Sequence, residues 1–514
     1  MMERNIKKLE LPYKIQAEHI GLPTTGAEVT SCVLCKAGES HPSALAKQFG
    51  FFYPVDTWKC EGVIHPVDPT CQDIHFELGL PVNWNGKAVQ QGGAGVDGYV
   101  PPTCQFLHGQ DRETRTALQQ GYAVFDSDGG YEYINGNMLD FSWISNEECL
   151  RNYAYESLKK TKDTITAFLQ DLTGTKPSRV YFYGGSNGGR ETMKILQKYP
   201  EDYDGAICFF PVLYWTQKVL MDYRNAKVVF DAGKEGILDK ETCEKIVQAA
   251  LDICDDLDGV QDGVISNWKD ARKKRDLVRE KVRAFLTPKQ LEVLDSLEKE
   301  FTLSYPLAFG QETLPGYNVY EGAPIFAQLG VWAKIHEFGK VDITDDLIAR
   351  LFAQDPAYDV GDFDPEDPKW QKRIQEISSY MDANDPDLKK FRDHGGKLIL
   401  VQGTVDPNVT AAGTVQYYEK LKEFFGEEGL RNFVRFYMAP GYGHGTDGNF
   451  LITGDFLGSL DAWVEKGEAP GTLTVMDHKE GNQRRTRPLY EYPYWPMYDG
   501  SGEPDHAENY HPVK

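Results

Sequence analysis

Ser186 sits in Gly184-Gly-Ser186-Asn-Gly188, directly after the β-branched and aromatic run Arg179-Val-Tyr-Phe-Tyr and just before the helix-compatible run Glu191-Thr-Met-Lys-Ile-Leu-Gln-Lys. Strand, sharp turn and helix, in that order, are the setting in which Gly-x-Ser-x-Gly raises a hydroxyl above the end of a sheet as a nucleophile. The pattern glycines Gly184 and Gly188, with Gly185 and Gly189 beside them, let the main chain bend that tightly. A serine hydroxyl is a poor nucleophile until a base takes its proton, and the base needs an anion to orient it. Asp406 lies in Gly403-Thr-Val-Asp406-Pro, after the apolar run Lys397-Leu-Ile-Leu-Val-Gln. His444 lies in Ala439-Pro-Gly-Tyr-Gly-His444-Gly, after Phe433-Val-Arg-Phe-Tyr-Met. Taken singly, Asp406 reads as an Asx turn before Pro407, and His444 as a surface-loop histidine. Together, nucleophile, acid and base follow one another in the chain order of a sheet-borne Ser-His-Asp hydrolase, each after a strand. The other ten histidines lack this placement; His108 and His394 come nearest.

Acyl transfer also needs two backbone N–H groups aimed at the developing oxyanion. The residue after the nucleophile, Asn187, is expected to give one. The early Gly-rich turn Gln91-Gly-Gly-Ala-Gly95 is expected to give the other, from Gly93, Ala94 or Gly95. A second chemical feature is Cys254-Asp255-Asp-Leu-Asp258-Gly-Val260-Gln-Asp262-Gly-Val264. Carboxylates at short intervals with glycines between them offer a hard cation several oxygens around one turn. No glutamate closes the loop at the twelfth position, so it is not an EF-hand; without a cation it is a solvated acidic turn.

Alternating strand and helix patterns surround these residues. Ile74–Pro81, Lys87–Gln91, Gly121–Phe125, the run before Ser186 and Asp204–Phe210 read as strands. Cys149 to Leu169 carries apolar residues at helical spacing. The alternation predicts an α/β fold with a mainly parallel sheet covered by helices on both faces. From Trp215 to Leu388 charge and helical pattern dominate, and strand signals resume only at Lys397. Residues 1–214 and 389–514 are therefore expected to form the catalytic domain, with 215–388 a lid inserted between late strands. The aromatic residues Phe326, Trp332 and Phe338 of that insertion are the expected platform for a ring, or else core.

With 514 residues the chain exceeds a single comfortable core. A net charge of -23 argues against a phosphate-binding surface and against anionic membranes. No apolar run has the length of a signal peptide or a membrane span. Nine cysteines cannot all pair, and Cys32-x-x-Cys35 has no second pair in metal spacing, so it reads as core packing. The expected compartment is the reducing cytoplasm.

The ordered motifs resemble those of the tannase and feruloyl esterase family over nearly the whole chain, from about Cys60 onward. Trp84-Asn-Gly-Lys, the Gly92 loop, Gly121-Tyr-Ala-Val, Gly184-Gly-Ser-Asn-Gly-Gly-Arg, Leu460-Asp-Ala-Trp-Val-Glu-Lys-Gly, Arg485-Thr-Arg-Pro-Leu and Tyr498-Asp-Gly-Ser-Gly carry the likeness. The resemblance implies an α/β-hydrolase fold and a serine esterase acting on small-molecule esters of gallate, ferulate or caffeate type. It also implies a structural calcium held by the side chains of Asp255, Asp258 and Asp262 and the carbonyls of Val260 and Val264. This chain departs from the family where a disulfide ties the nucleophile and histidine loops: Gly185 and Gly445 stand in place of those cysteines, and Tyr490 replaces a third. A serine peptidase or acyltransferase on the same fold, or a non-catalytic ligand-binding relative, is the alternative.

Overall fold

Apolar runs buried on both faces make the strands that carry the site. The computed structural model describes residues 7–111, 114–132, 140–325, 346–482 and 485–514. The fold is α/β, with a mixed ten-stranded sheet. Its strands are β1 (Tyr13–Ile15), β2 (Gly26–Cys35), β3 (Thr57–His65), β4 (Ile74–Pro81), β5 (Ala88–Gln91), β6 (Ala123–Ser127), β7 (Val180–Gly185), β8 (Gly205–Phe209), β9 (Lys397–Gly403) and β10 (Val434–Ala439). Two compact units divide the chain: Met1–Cys208 with Asp387–Leu398 and Asp455–Glu468, and Phe209–Pro386 with Ile399–Gly454 and Ala469–Lys514.

In the first unit the strand order is β1-β2-β3-β4-β6-β5-β7-β8. The steps from β1 to β4 and on to β6 are antiparallel, whereas β5 runs parallel to both β6 and β7. The antiparallel strands β1 to β3 are absent from the sequence-based expectation. Half-exposed β2 (Gly-Ala-Glu-Val-Thr-Ser-Cys-Val-Leu-Cys) has no continuous apolar run to announce it. By contrast β5 and β7 are buried at every position, as central parallel strands must be. Cys32 is bonded to Cys60, its register partner across β2 and β3, and Cys71 to Cys149. Cys32, read with Cys35 as core packing, thus has a covalent partner on the next strand. Helix α1 (Ser157–Thr173) buries Leu158, Ile165, Phe168, Leu169 and Leu172 along one stripe. It is docked on β5 by Gln90, whose side-chain amide donates to the Leu158 carbonyl at 3.1 Å and accepts from the Tyr203 hydroxyl at 2.7 Å. The segment Asn152–Glu156 before it is wound as a π turn, which frees carbonyls from the regular ladder. Helix α2 (Asn187–Lys198) starts at the residue after the nucleophile, four positions before the expected helical run.

The second unit holds most of the segment predicted as an insertion, residues 215–386, together with β9 after Leu398, all of β10 and the C-terminal strands. Helix α3 (Lys240–Cys254), capped by Asp239, delivers the acidic loop, and α4 (Ala411–Phe425) follows the Asp406 turn.

Helix α5 (Phe456–Lys466) returns to the first unit. Its Asp461 accepts from Lys87 Nζ at 2.6 Å and from the Tyr181 hydroxyl at 2.7 Å, which ties β5 and β7 together at their N-terminal ends. Hydrogen bonds from these donors hold the Asp461 carboxyl below the usual carboxylate range against the opposing effect of burial. A depressed folded-state pKa contributes stability above the unfolded carboxylate pKa, and that stability is lost as pH falls through the folded value. Asp461→Asn is therefore expected to cost about 2 kcal/mol at neutral pH. The gap to wild type should close in acid melts below the ordinary carboxylate range.

Candidate active site

Ser186 occupies a backbone conformation of φ 60°, ψ -121°, which a residue with a Cβ adopts only under constraint, at a cost of order 1–3 kcal/mol. The constraint comes from close main-chain packing around α2. A Cβ on Gly184 would stand 2.1 Å from the Gly188 carbonyl oxygen, and one on Gly188 2.6 Å from the Gly93 carbonyl oxygen. The Gly188 N–H donates to that Gly93 oxygen at 3.0 Å, and the Arg190 N–H to the Ser186 carbonyl at 3.0 Å. Gly185 is bare for a different reason. The His108 ring lies where its Cβ would project, with Cδ2 at 2.4 Å. The Tyr183 hydroxyl anchors that turn by donating to the His108 carbonyl.

Beneath the elbow lies a polar cluster that sequence reading missed. The Asn187 amide donates to both carboxyl oxygens of Asp97, at 3.0 and 2.9 Å, and to Glu191 at 3.3 Å, while its oxygen accepts from Arg190 Nε at 2.7 Å. Arg190 is fully buried; it donates to the carbonyls of Ala154 and Tyr153 in the π turn and lies over the Tyr153 ring. Glu191 accepts the Gly93 N–H at 3.0 Å. That N–H is engaged, which leaves Ala94 and Gly95 as the other candidate donors of the loop. Asn187 presents its own N–H at the first position of α2, the positive end of the helix. The only sequence signal for the cluster is a pair of charges, Arg190-Glu191, inside an otherwise tightly packed elbow. Such a pair ordinarily marks a solvated helix face.

In the second unit, Asp406 follows β9 and His444 follows β10. His444 Nδ1 lies 2.9 Å from one oxygen of Asp406 and 3.1 Å from the other. Asp406 is buried and also accepts the N–H groups of Asn408 and Val409, both at 2.8 Å, the Asx turn that its position before Pro407 foretells. With Gln402 Nε2 at 3.4 Å from its other oxygen and the imidazole beside it, this buried anion is well satisfied. The pairing fixes the proton on Nδ1 and directs the Nε2 lone pair outward. The Phe210 ring packs against the imidazole, with centroids 4.5 Å apart. The two loops meet because Gly403 has no side chain: a Cβ there would sit 2.1 Å from the Tyr442 carbonyl oxygen. Gly443 leaves room for Asp447, whose carboxylate accepts the His444 backbone N–H.

The acidic loop is closed by its own carboxylates. Asp255 accepts the Gly263 N–H at 3.0 Å, Asp258 the Ser266 N–H at 3.1 Å, and Asp262 pairs with Arg487. Burial, then repulsion from Asp262, pushes the Asp258 carboxyl up to about 7, and burial raises Asp255 as well. Oxygen donors held at such potential suit a hard dication, although the three carboxylates are not gathered onto one point. Among the described residues, such a close grouping of ligand atoms occurs only at His75, Asp128 and Glu132. Phe326, Trp332 and Phe338 lie outside the described residues.

The family profile described as "Tannase and feruloyl esterase" matches residues 59–513. An uncharacterized esterase of Agrobacterium fabrum is 34% identical over 95% of this chain and 89% of its own length. A mono(2-hydroxyethyl) terephthalate hydrolase of Piscinibacter sakaiensis is 27% identical over 86% and 82%. The crystal structure of feruloyl esterase B from Aspergillus oryzae superposes with a TM-score of 0.75 at 19% identity, covering 96% of this chain and 98% of the other.

The contact of Gly403 with Tyr442 gives a direct test. Gly403→Ala must part the Asp406 and His444 loops, and kcat/KM for an ester substrate is expected to fall about 100-fold. Gly471→Ala, where a Cβ meets nothing within 4 Å, is the matched control and should leave turnover unchanged.

Proposed function

The chain belongs to the tannase and feruloyl esterase family of carboxylic ester hydrolases, and we propose that it hydrolyses esters of aromatic, phenolic acids such as gallate, ferulate or caffeate through an acyl-enzyme on Ser186. The observation that carries the mechanism is the pairing of buried Asp406 with the partly exposed His444, which presents an imidazole oriented by a carboxylate. Ser186 offers the matching nucleophile on a strained elbow. His444 Nε2 takes the Ser186 proton as the hydroxyl attacks the ester carbonyl. Asp406 stabilises the imidazolium that forms, without itself taking the proton. The oxyanion is met by the Asn187 N–H and by an N–H of Ala94 or Gly95, that of Gly93 being engaged by Glu191. The imidazolium then protonates the leaving alcohol, and a water activated by the same imidazole releases the acid. An aromatic acyl group is favoured by the family description and by a relative whose named substrate is an ester of an aromatic acid.

A fluorophosphonate should label the protein stoichiometrically, and Ser186→Ala should abolish labelling while leaving the fold intact. Asp406→Asn should lower kcat roughly 10⁴-fold. Turnover of gallate, ferulate, caffeate and aliphatic esters ranks the acyl preference. Exclusive hydrolysis of aliphatic esters, or of amides, would overturn the substrate assignment.

Calcium is proposed for the acidic loop, bound by Asp255, Asp258 and Asp262 through side chains and by Val260 and Val264 through carbonyls. Its contribution there is cross-linking of the turn after α3; no chemical step passes through it. The support is three carboxylates on one short loop, Asp258 buried and Asp255 and Asp262 partly so, with guanidinium contacts only at Asp262, from Arg487 to its side chain and Arg485 to its carbonyl, among the described residues. At a hundredfold excess over Kd, calcium should stabilise the protein by about 2.7 kcal/mol. A chelator should reverse the gain, and a melt insensitive to both would remove the site.

A further inference from the structure

We propose that Asp97 and Glu191 are an acid–carboxylate pair sharing one proton, Asp97 the acid and Glu191 the anion, and that this pair sets the 92–97 loop against the first turn of α2. Its role in turnover rests on the esterase reading above; its existence does not.

Both residues are 2% exposed, and their carboxyl groups crowd one donor, the Asn187 amide nitrogen, which lies 2.9 and 3.0 Å from the Asp97 oxygens and 3.3 Å from Glu191. Two carboxyls in such contact, away from water, do not both ionise. The neighbours decide which one keeps the proton. Glu191 accepts the Gly93 N–H at 3.0 Å and its Oε1 lies 3.9 Å from Arg190 Nη2, whereas Asp97 accepts from the neutral Asn187 amide, so the anion is favoured on Glu191, beside the cation. Asp97 faces Glu191 and, on β6, Asp126, itself buried with one oxygen lacking a partner; Arg190 on α2 is the opposing cation. Asp128 and Glu77 adjoin Asp126 and add negative charge. Burial first, then Glu191, holds the Asp97 carboxyl well above the carboxylate range.

Packing leaves the pair no alternative position. Asp97 has a φ of 60°, and Cβ atoms on Gly93 and Gly129 would stand 2.0 Å and 3.1 Å from it. Gly92 is bare because Glu191 Oε2 and the Gly188 Cα lie 3.0 and 2.6 Å from its missing Cβ. Glu191 thus holds the Gly93 amide plane, and Asp97, through the Asn187 amide, holds the residue that follows the nucleophile. They are positioning residues: they act on the oxyanion donors through Gly93 and Asn187.

The test uses the full-length protein with two neutral isosteres, followed by steady-state kinetics on a phenolic ester and by thermal melts across the alkaline range. In Glu191→Gln an amide replaces the anion and turns an N–H toward either Gly93 or Asp97. The expected result is a fall in kcat of about 100-fold with KM changed less than about threefold. In Asp97→Asn the amide N–H replaces the acid O–H as donor, and the fall should stay below about tenfold. A raised folded-state pKa gives stability that is present at low pH and lost as pH rises through it. Wild type should therefore lose melting temperature and kcat on the alkaline side, and Asp97→Asn should flatten that limb. Equal losses in both variants, an unchanged alkaline limb in Asp97→Asn, or failure of Asp97→Asn to fold would each overturn the pairing. Should Glu191→Gln not fold, the alkaline comparison decides. Absence of any ester turnover in wild type would sink the esterase mechanism alone, because the melts still report on the shared proton.

Discussion

The nucleophile's geometry depends on one close approach, that of the 92–97 loop to the first turn of α2. Gly188 and Gly93 meet main chain to main chain, and a single hydrogen bond of 3.0 Å seals the contact. A methyl group on Gly188 would force the backbones apart, since it would stand 2.6 Å from the Gly93 carbonyl oxygen, and one on Gly93 would run into the Asp97 carboxyl at 2.0 Å. The strain stored at Ser186 is of order 1–3 kcal/mol. It persists because relaxing the turn would strip hydrogen bonds from a buried network in which each lost bond to a charged group costs about as much. Strain and network therefore stabilise the same conformation from opposite sides.

Two buried charges, one in each unit, are satisfied largely by fixed dipoles. Arg190 spends three of its donors on carbonyls of the π turn and of Asn187, and Asp406 accepts two backbone N–H groups before it meets His444. Ions held this way escape much of the desolvation penalty that makes isolated buried pairs unfavourable. They are also directional. Asp406 holds His444 Nδ1 at 2.9 Å, so the imidazole orientation is set before any substrate arrives.

The reactive residues were legible in the sequence because each is announced by local chemistry: glycines at a forced turn, an Asx turn before Pro407, and strand-like runs leading to both. Tertiary context decided the rest. Strands β1 to β3 are half exposed and rich in polar residues, so their pairing is written in partners rather than in a run. Asp97, Arg190 and Glu191 look like surface charges until the glycine loops fold over them. The Gly-rich turn pointed to a donor loop, yet that the Gly93 N–H is engaged was decided by Glu191, whose sequence setting reads as a solvated helix face.

At Gly185 and Gly445, where the family resemblance implies cysteines, each loop is held by noncovalent contacts within its own unit. In the first unit, the volume beside Gly185 is filled by the His108 ring, and Tyr183 pins the main chain of that histidine. In the second, Gly445 sits at φ 93° in a tight turn, where the Tyr442–Gly448 bridge and the Gly443 N–H bond to the Asp447 carbonyl close the ring of backbone. Asp447 then grips the His444 N–H from one side, and Phe210 covers its ring from another. A disulfide constrains chiefly the unfolded chain, whereas these contacts constrain the folded loop itself. The rigidity of the base in this chain rests on packing and hydrogen bonds of its own loop. The glycines at 403, 441, 443 and 448 are the positions where that packing has no slack.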